Sequence, residues 1–202
     1  MLISIENIIK PENPLEYEIS RNEDFIKGCY WGVPRSGHDE GKVIYHIRDV
    51  LRNVEKYSSS QTRVDLRLIA MIHDTFKYKQ TRPILPSREN HHAVIARRFA
   101  EQFITNPQIL EIIELHDEAY NSWQNIEFKG NHQKAEERAK KLIDRLGNNL
   151  DLYLTFYKCD NKTSSKSPVN YNWFSLLAQN VLASRNNDFS NQNPLPLHTF
   201  IS

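Results

Sequence analysis

Cysteine and glycine are scarce in this sequence, and no long apolar run interrupts it. Two cysteines, Cys29 and Cys159, cannot build a disulfide framework, and no secretory leader opens the chain, so a reducing, cytoplasmic setting is expected. No stretch approaches the roughly 20 apolar residues that a membrane-crossing helix requires. Charge of neither sign dominates: Lys and Arg total 26 against 25 Asp and Glu, for a formal net charge of +1. Such a balance exerts no global pull on nucleic acid or on an anionic membrane; a partner of that kind would need a local patch. Alternating apolar and polar runs, the signature of half-buried strands, are missing, and so are internal repeats.

What remains is the composition of an ordinary soluble protein, 39% apolar and 25% charged, in 202 residues that suffice for one sizeable core. Four of the six glycines (Gly28, Gly32, Gly37, Gly41) and three prolines (Pro11, Pro14, Pro34) crowd the start of the chain. Residues 1–40 therefore read as an irregular segment with at most short helices. Helical patterning then predicts helices over 43–57, 63–77, 90–104, 107–120, 133–146, 150–159 and 173–184. The segment NSWQNIEFKGNH between the fourth and fifth reads as a polar connection, and NKTSSKSP between the sixth and seventh as a basic, flexible loop. A helical domain is expected over 41–184, followed by a loose Asn-, Ser- and Pro-rich tail over 185–202. The fold class is all-α.

Ionisable residues sit where these helices should be apolar. Val43, Ile47 and Val50 surround His46. Leu66, Ile69, Ala70 and His73 stand at i, i+3, i+4 and i+7, and so do Ile109, Ile112, Ile113 and His116. Tyr153, Phe156, Tyr157 and Asp160 repeat the pattern, and His92 shares a side with Ile95, Ala96, Phe99 and Phe103. A lone histidine on an apolar face is commonly a core residue bonded to a carbonyl. Five helices would need five such separate solutions. Buried ionisable groups cost free energy unless paired or coordinated, and imidazoles with carboxylates suit divalent Mn, Fe, Co, Ni, Zn or Mg.

The ordered series His46, His73-Asp74, His92, His116, Asp160 resembles the HD superfamily of metal-dependent phosphohydrolases, named for its His-Asp doublet. The resemblance covers residues 38–160. HDTFK (73–77) is similar to the His-Asp-x-x-Lys variant, and GHDEGKVIYH (37–46) to a lead-in in which His-x-Glu-Gly precedes the first ligand. The Gly-Tyr-Pro motif of the cyclic-dinucleotide branch is absent, and the frequent HDIGK reads HDTFK. The resemblance implies an HD-type helical bundle over 41–184. It implies a first metal site from His46, His73, Asp74 and Asp160, and in dinuclear members a second from His92 and His116 with Asp74 bridging. His91 competes with His92; the small Ala96 and Ala100 favour His92. Asp117 competes with His116, but one residue of offset turns it about 100° off the stripe.

It further implies hydrolysis of a small phosphate ester such as a nucleotide, with one or two divalent ions. Asp74 would bind metal and orient water, and Lys77 would hold a phosphate oxygen or assist the leaving group. Arg35, Lys162 and Lys166 are expected to contact substrate. Trp31, Trp123 and Trp173 are candidates to stack a base, whereas His38, His132 and His198 belong to no stripe. Two other classes remain: a nucleic-acid processing domain, against which the balanced charge argues, and a non-catalytic ligand-binding scaffold, against which the complete ligand series argues. No membrane partner is expected; homo-oligomerisation is left open.

Overall fold

The computed structural model describes residues 4–34, 39–163 and 166–192. Three short helices, α1 (Ile5–Ile9), α2 (Pro14–Arg21) and α3 (Glu23–Cys29), lead into α4 (Val43–Tyr57) and α5 (Arg63–Ile72). A 3-10 turn at Lys77–Lys79 precedes α6 (His92–Ala100), α7 (Pro107–Leu115), α8 (Glu118–Lys129) and α9 (His132–Leu146). A second 3-10 turn, Gly147–Asn149, leads to α10 (Leu150–Asn161) and α11 (Val169–Gln192). Among the described residues there is no strand, and no helix is long and apolar enough to cross a membrane. The architecture is an all-α bundle.

Local chemistry fixes most boundaries. Asparagine side chains accept from backbone N–H groups at the starts of α2 (Asn13), α3 (Asn22), α7 (Asn106) and α9 (Asn131). Gly130 closes α8 in the left-handed region. The apolar stripes of α4, α5, α7 and α10 turn inward, burying Ile47, Val50, Ile69, Ile72, Ile112, Ile113 and Phe156 completely. Helix α5 lies at the centre, packed by α4, α7 and α10, while α8, α9 and α11 pack together.

The boundaries differ most from expectation at the second, fourth and seventh helices and in the segment between the fourth and fifth. The second helix does not reach residue 77. It ends at Ile72, and residues 73–76 form a turn in which Thr75 Oγ1 bonds the Met71 carbonyl at 2.7 Å. The apolar period continues past this turn because Phe76 is buried against Phe99, with ring centroids 4.6 Å apart. The fourth helix breaks after Leu115, and α8 begins where a polar connection was read. Its buried Ser122 and Asn125 return hydrogen bonds to the helix's own carbonyls of Glu118, Asn121 and Ser122, so the sequence carries no apolar period there. Helix α11 also exceeds 173–184 at both ends, so residues 185–192 are helical where a loose tail was expected; residues 193–202 lie outside the described residues.

Gly28 sets the approach of α3. A Cβ there would stand 1.9 Å from the Thr75 carbonyl oxygen, so only glycine lets α3 rest on the turn that follows His73 and Asp74.

Candidate metal centre

Five helix ends and faces bring the predicted residues to one buried point. His46 comes from the first turn of α4, His73 and Asp74 from the cap and turn that end α5, and His92 from the first turn of α6. His116 follows the last residue of α7, and Asp160 lies in the last turn of α10. His46, His73, Asp74, His92 and His116 are all buried, and the Asp160 side chain is 17% exposed.

All four histidines face the same way chemically. Their Nδ1 atoms point outward to acceptors: Glu40 Oε1 at 3.2 Å for His46, the Ala70 carbonyl at 3.0 Å for His73, Gln80 Oε1 at 2.7 Å for His92, and the Ile113 carbonyl at 2.9 Å for His116. A proton held on Nδ1 leaves the Nε2 lone pair aimed into the centre, the tautomer a metal ligand needs. His46 Nε2 lies 3.2 Å from His73 Nε2, and His92 Nε2 lies 3.3 Å from His116 Nε2. Two nitrogen lone pairs at that range repel unless a proton or metal ion lies between them.

The carboxylates complete two groups. Asp160 Oδ1 is 3.0 Å from His46 Nε2 and 3.9 Å from His73 Nε2. Asp74 divides its oxygens: Oδ2 is 3.5 Å from His46 and 3.6 Å from His73, while Oδ1 is 3.5 Å from His92 and 3.3 Å from His116. Atoms bound to one ion at about 2.1 Å stand about 3.0–3.4 Å apart when the bond angles lie between 90° and the tetrahedral value. The observed spacings are close to that. His46, His73 and Asp160 could hold one ion, and Asp74, His92 and His116 another.

Burial alone would raise both carboxyls, but Lys77 and His73 with bonds from His116 and His92 hold Asp74 well below the ordinary range, and Lys166 and His46 do so for Asp160. Burial pushes His73 down to about 3, and it lowers His92. Burial and Lys166 act downward on His46, yet its bonds to Asp160 and Glu40 raise it. Burial likewise acts downward on His116, which its bond to Asp74 and the Asp117 charge raise. The centre is thus anionic and rich in lone pairs.

Two lysines already answer that charge. Lys77 Nζ donates to Asp74 Oδ2 at 2.5 Å, and Lys166 Nζ to Asp160 Oδ1 at 2.8 Å. Lys77 reaches Asp74 from the 3-10 turn rather than from a continued helix. Both lysines line a cleft of about 710 Å³ that opens from the centre between α8 on one side and α10 with the start of α11 on the other. Tyr120, Trp123 and Glu127 lie along its α8 wall. Lys162, one residue beyond Asn161, is exposed to solvent and is not among the residues that line the cleft. Arg35 and His38 lie outside the described residues, as does His198.

The competition between neighbours is resolved by geometry. Ala93 N–H donates to His91 Nδ1 at 3.3 Å, capping α6. The ring proton of His91 then sits on Nε2, 3.4 Å from Asp117 Oδ2, and no lone pair faces an ion. Asp117 escapes the offset expected of it because α7 ends before it. It is the N-cap residue of α8, lines the cleft and lies 4.0 Å from His92 Nε2. Cys159 is fully buried, its thiol pushed up to about 12 by burial and the Asp160 charge, and it takes no part. Glu40 and Gln80 were not singled out from sequence, and Asp117 was set aside there for its offset. Only Glu40 had a signal there, as the glutamate of the His-x-Glu-Gly lead-in.

A family model described as HD domain matches residues 43–149, more than half of the chain. The match stops short of Asp160, which the fold nonetheless returns to the centre. No curated protein and no solved structure matches the chain.

Proposed function

The chain belongs to the HD domain family, and on that premise we propose that it is a metal-dependent phosphohydrolase acting on a phosphate ester of a nucleotide or similar small molecule. The observation that carries this reading is the division of Asp74, one oxygen toward each pair of imidazoles. His46, His73, Asp74 and Asp160 would hold one divalent ion, and Asp74, His92 and His116 a second. Ions bound there would supply positive charge to phosphoryl oxygens and acidify a water. The protein's own part is to fix the imidazole tautomers through Glu40, Gln80 and two carbonyls, and to keep the centre buried except toward the cleft.

Lys77 and Lys166 neutralise Asp74 and Asp160 and stand at the cleft floor, where an ammonium group stabilises charge on a phosphate oxygen or leaving group. The cleft volume falls within the range of small-molecule sites. Its α8 wall offers the rings of Tyr120 and Trp123, suited to the face of a nucleobase.

The test is elemental analysis of freshly purified protein, followed by a phosphate-release screen over nucleoside monophosphates, sugar phosphates and a short RNA with Mn, Fe, Co, Ni, Zn or Mg. Metal-dependent release from small esters supports the reading. Release from RNA alone, or binding without release by fully metal-loaded protein, would replace it with the nucleic-acid or scaffold reading.

A further inference from the structure

The far wall of the cleft, where α10 meets the first turn of α11, carries hydrogen-bond donors that the protein leaves unused. The Tyr157 hydroxyl is buried without a hydrogen-bond partner among the described residues, in a side chain only 2% exposed that lines the cleft. It belongs to the helical turn that ends at Asp160, and its ring packs on Tyr171 and Phe174 of α11 at 5.7 and 6.1 Å. Asn170, 8% exposed, lines the same wall. Its Oδ1 accepts from Asn161 Nδ2 and from the Tyr171 N–H, each at 2.9 Å. Those two bonds fix which end of the amide is oxygen, so the NH2 end is the one left without a bond.

Two further features give the wall a sign. Lys166 Nζ, 2.8 Å from Asp160 Oδ1, ties it to the metal centre. The wall is also the N-terminus of α11, a helix of 24 residues, whose dipole places partial positive charge there although the Val169 and Tyr171 N–H groups are already bonded to Ser167 Oγ and Asn170 Oδ1. An unpartnered buried hydroxyl, a free amide NH2 and an ammonium can all donate, and the helix N-terminus adds positive potential. A neutral sugar hydroxyl would ask for acceptors as well; an anion with several oxygens asks only for donors.

We propose that Tyr157, Asn170, Lys166 and the first turn of α11 form a cradle for the phosphoryl oxygens of the substrate. The assignment rests on the phosphohydrolase reading for its biological meaning, though not for its test. It gives the substrate a direction: phosphate between the metal centre and α11, organic half along Tyr120 and Trp123 of α8.

The experiment is calorimetric titration of manganese-loaded protein with inorganic phosphate and, separately, with adenosine, for wild type, Tyr157→Phe and Asn170→Ala. Each variant is expected to bind phosphate about tenfold more weakly, the worth of one hydrogen bond to a charged group. Adenosine affinity and manganese content should not change. Asn170→Ala also strips partners from Asn161 and Tyr171, so Tyr157→Phe, which removes only an unpartnered hydroxyl, is the decisive variant. Unaltered phosphate affinity in Tyr157→Phe overturns the cradle. A parallel loss of adenosine affinity overturns it too, since the wall would then hold the organic half. If the phosphate result holds while wild type releases phosphate from no ester, the cradle stands and the hydrolase reading alone falls.

Discussion

Helix α5 and the turn that closes it carry two buried ionic clusters seven residues apart, and they are built on opposite rules. Around Arg67, which is 3% exposed, every group finds its complement. Arg67 Nε and Nη2 donate to Glu16 at 2.9 and 2.8 Å, Nη2 also reaches the Lys10 carbonyl, and Arg63 pairs with Glu12 and Glu55. Around Asp74, four imidazole lone pairs and two carboxylates point at one another. The first cluster is complete within the protein and needs nothing from solution. The second has acceptors without enough donors, the arrangement that a cation could complete and that a structural salt bridge does not need.

The largest expected break in this contrast is at Asp74. Asp74→Ala removes the one residue that faces both imidazole pairs. Metal content should drop to the background in elemental analysis, and phosphate release should fall by at least about 10³-fold. Equal metal loading of wild type and Asp74→Ala would sink the assignment.

Arg67 tests the other rule. Arg67→Met leaves the fully buried Glu16 without its bidentate partner and should cost about 3–5 kcal/mol in denaturant unfolding. Replacing both, as Arg67→Met with Glu16→Leu, should recover most of that loss, because an apolar pair of similar volume needs no compensation. Neither change should alter the number of metal ions bound by folded protein. If the double variant is as unstable as the single, the network does more than satisfy itself.

Much of the histidine and aspartate cluster was legible because burial and ionisation conflict on the page. His46, His73, His116 and Asp160 stand on stripes whose other members are apolar, and only mutual satisfaction or a cation resolves that. What was not legible depends on tertiary approach. The turn at 73–76 was hidden because Phe76 continues the apolar period while packing on α6, and α8 was hidden because its buried Ser122 and Asn125 satisfy themselves locally. Gln80 reaches His92 across twelve residues, and Asp117 enters the cleft only because α7 stops at Leu115. Tyr157 looked like the core aromatic it mostly is.

Adding the ion should sharpen the comparison further. At a free concentration 100 times its Kd, a metal that binds only folded protein stabilises it by about 2.7 kcal/mol. Thermal unfolding should therefore shift upward with Mn, Zn or another fitting ion and revert with chelator. The shift should survive in Arg67→Met and vanish in Asp74→Ala. A shift that persists in Asp74→Ala would put the ion elsewhere.

The smallest effect separates the clusters by pH. Arg67 is raised above an already high value, burial opposing and its bond to Glu16 prevailing, and Glu12 is lowered by its bond from Arg63, so neither titrates near neutrality. The centre does. His73 at about 3, His91 at about 4 and the lowered His92 stay neutral in the fold, whereas unfolded histidine protonates near 6.5. As pH falls below 6.5 the unfolded chain takes up more protons at these three, so their contribution is lost on acidification. His46 and His116 are raised, so their contribution is present below 6.5 and is lost as pH rises through their folded values. Asp74, Asp117 and Asp160 are held low and enter only in stronger acid. Opposite signs on either side give metal-free protein a shallow stability maximum near pH 6.5, with slopes near 1.4 kcal/mol per pH unit for each uncompensated proton. Bound metal takes neutral imidazole, so loading should move that maximum upward. Thermal unfolding from pH 5 to 8, with chelator and with Mn, measures both curves. His91→Gln should flatten only the acid side of the metal-free curve; flattening of the alkaline side instead would place the titrating groups outside the centre.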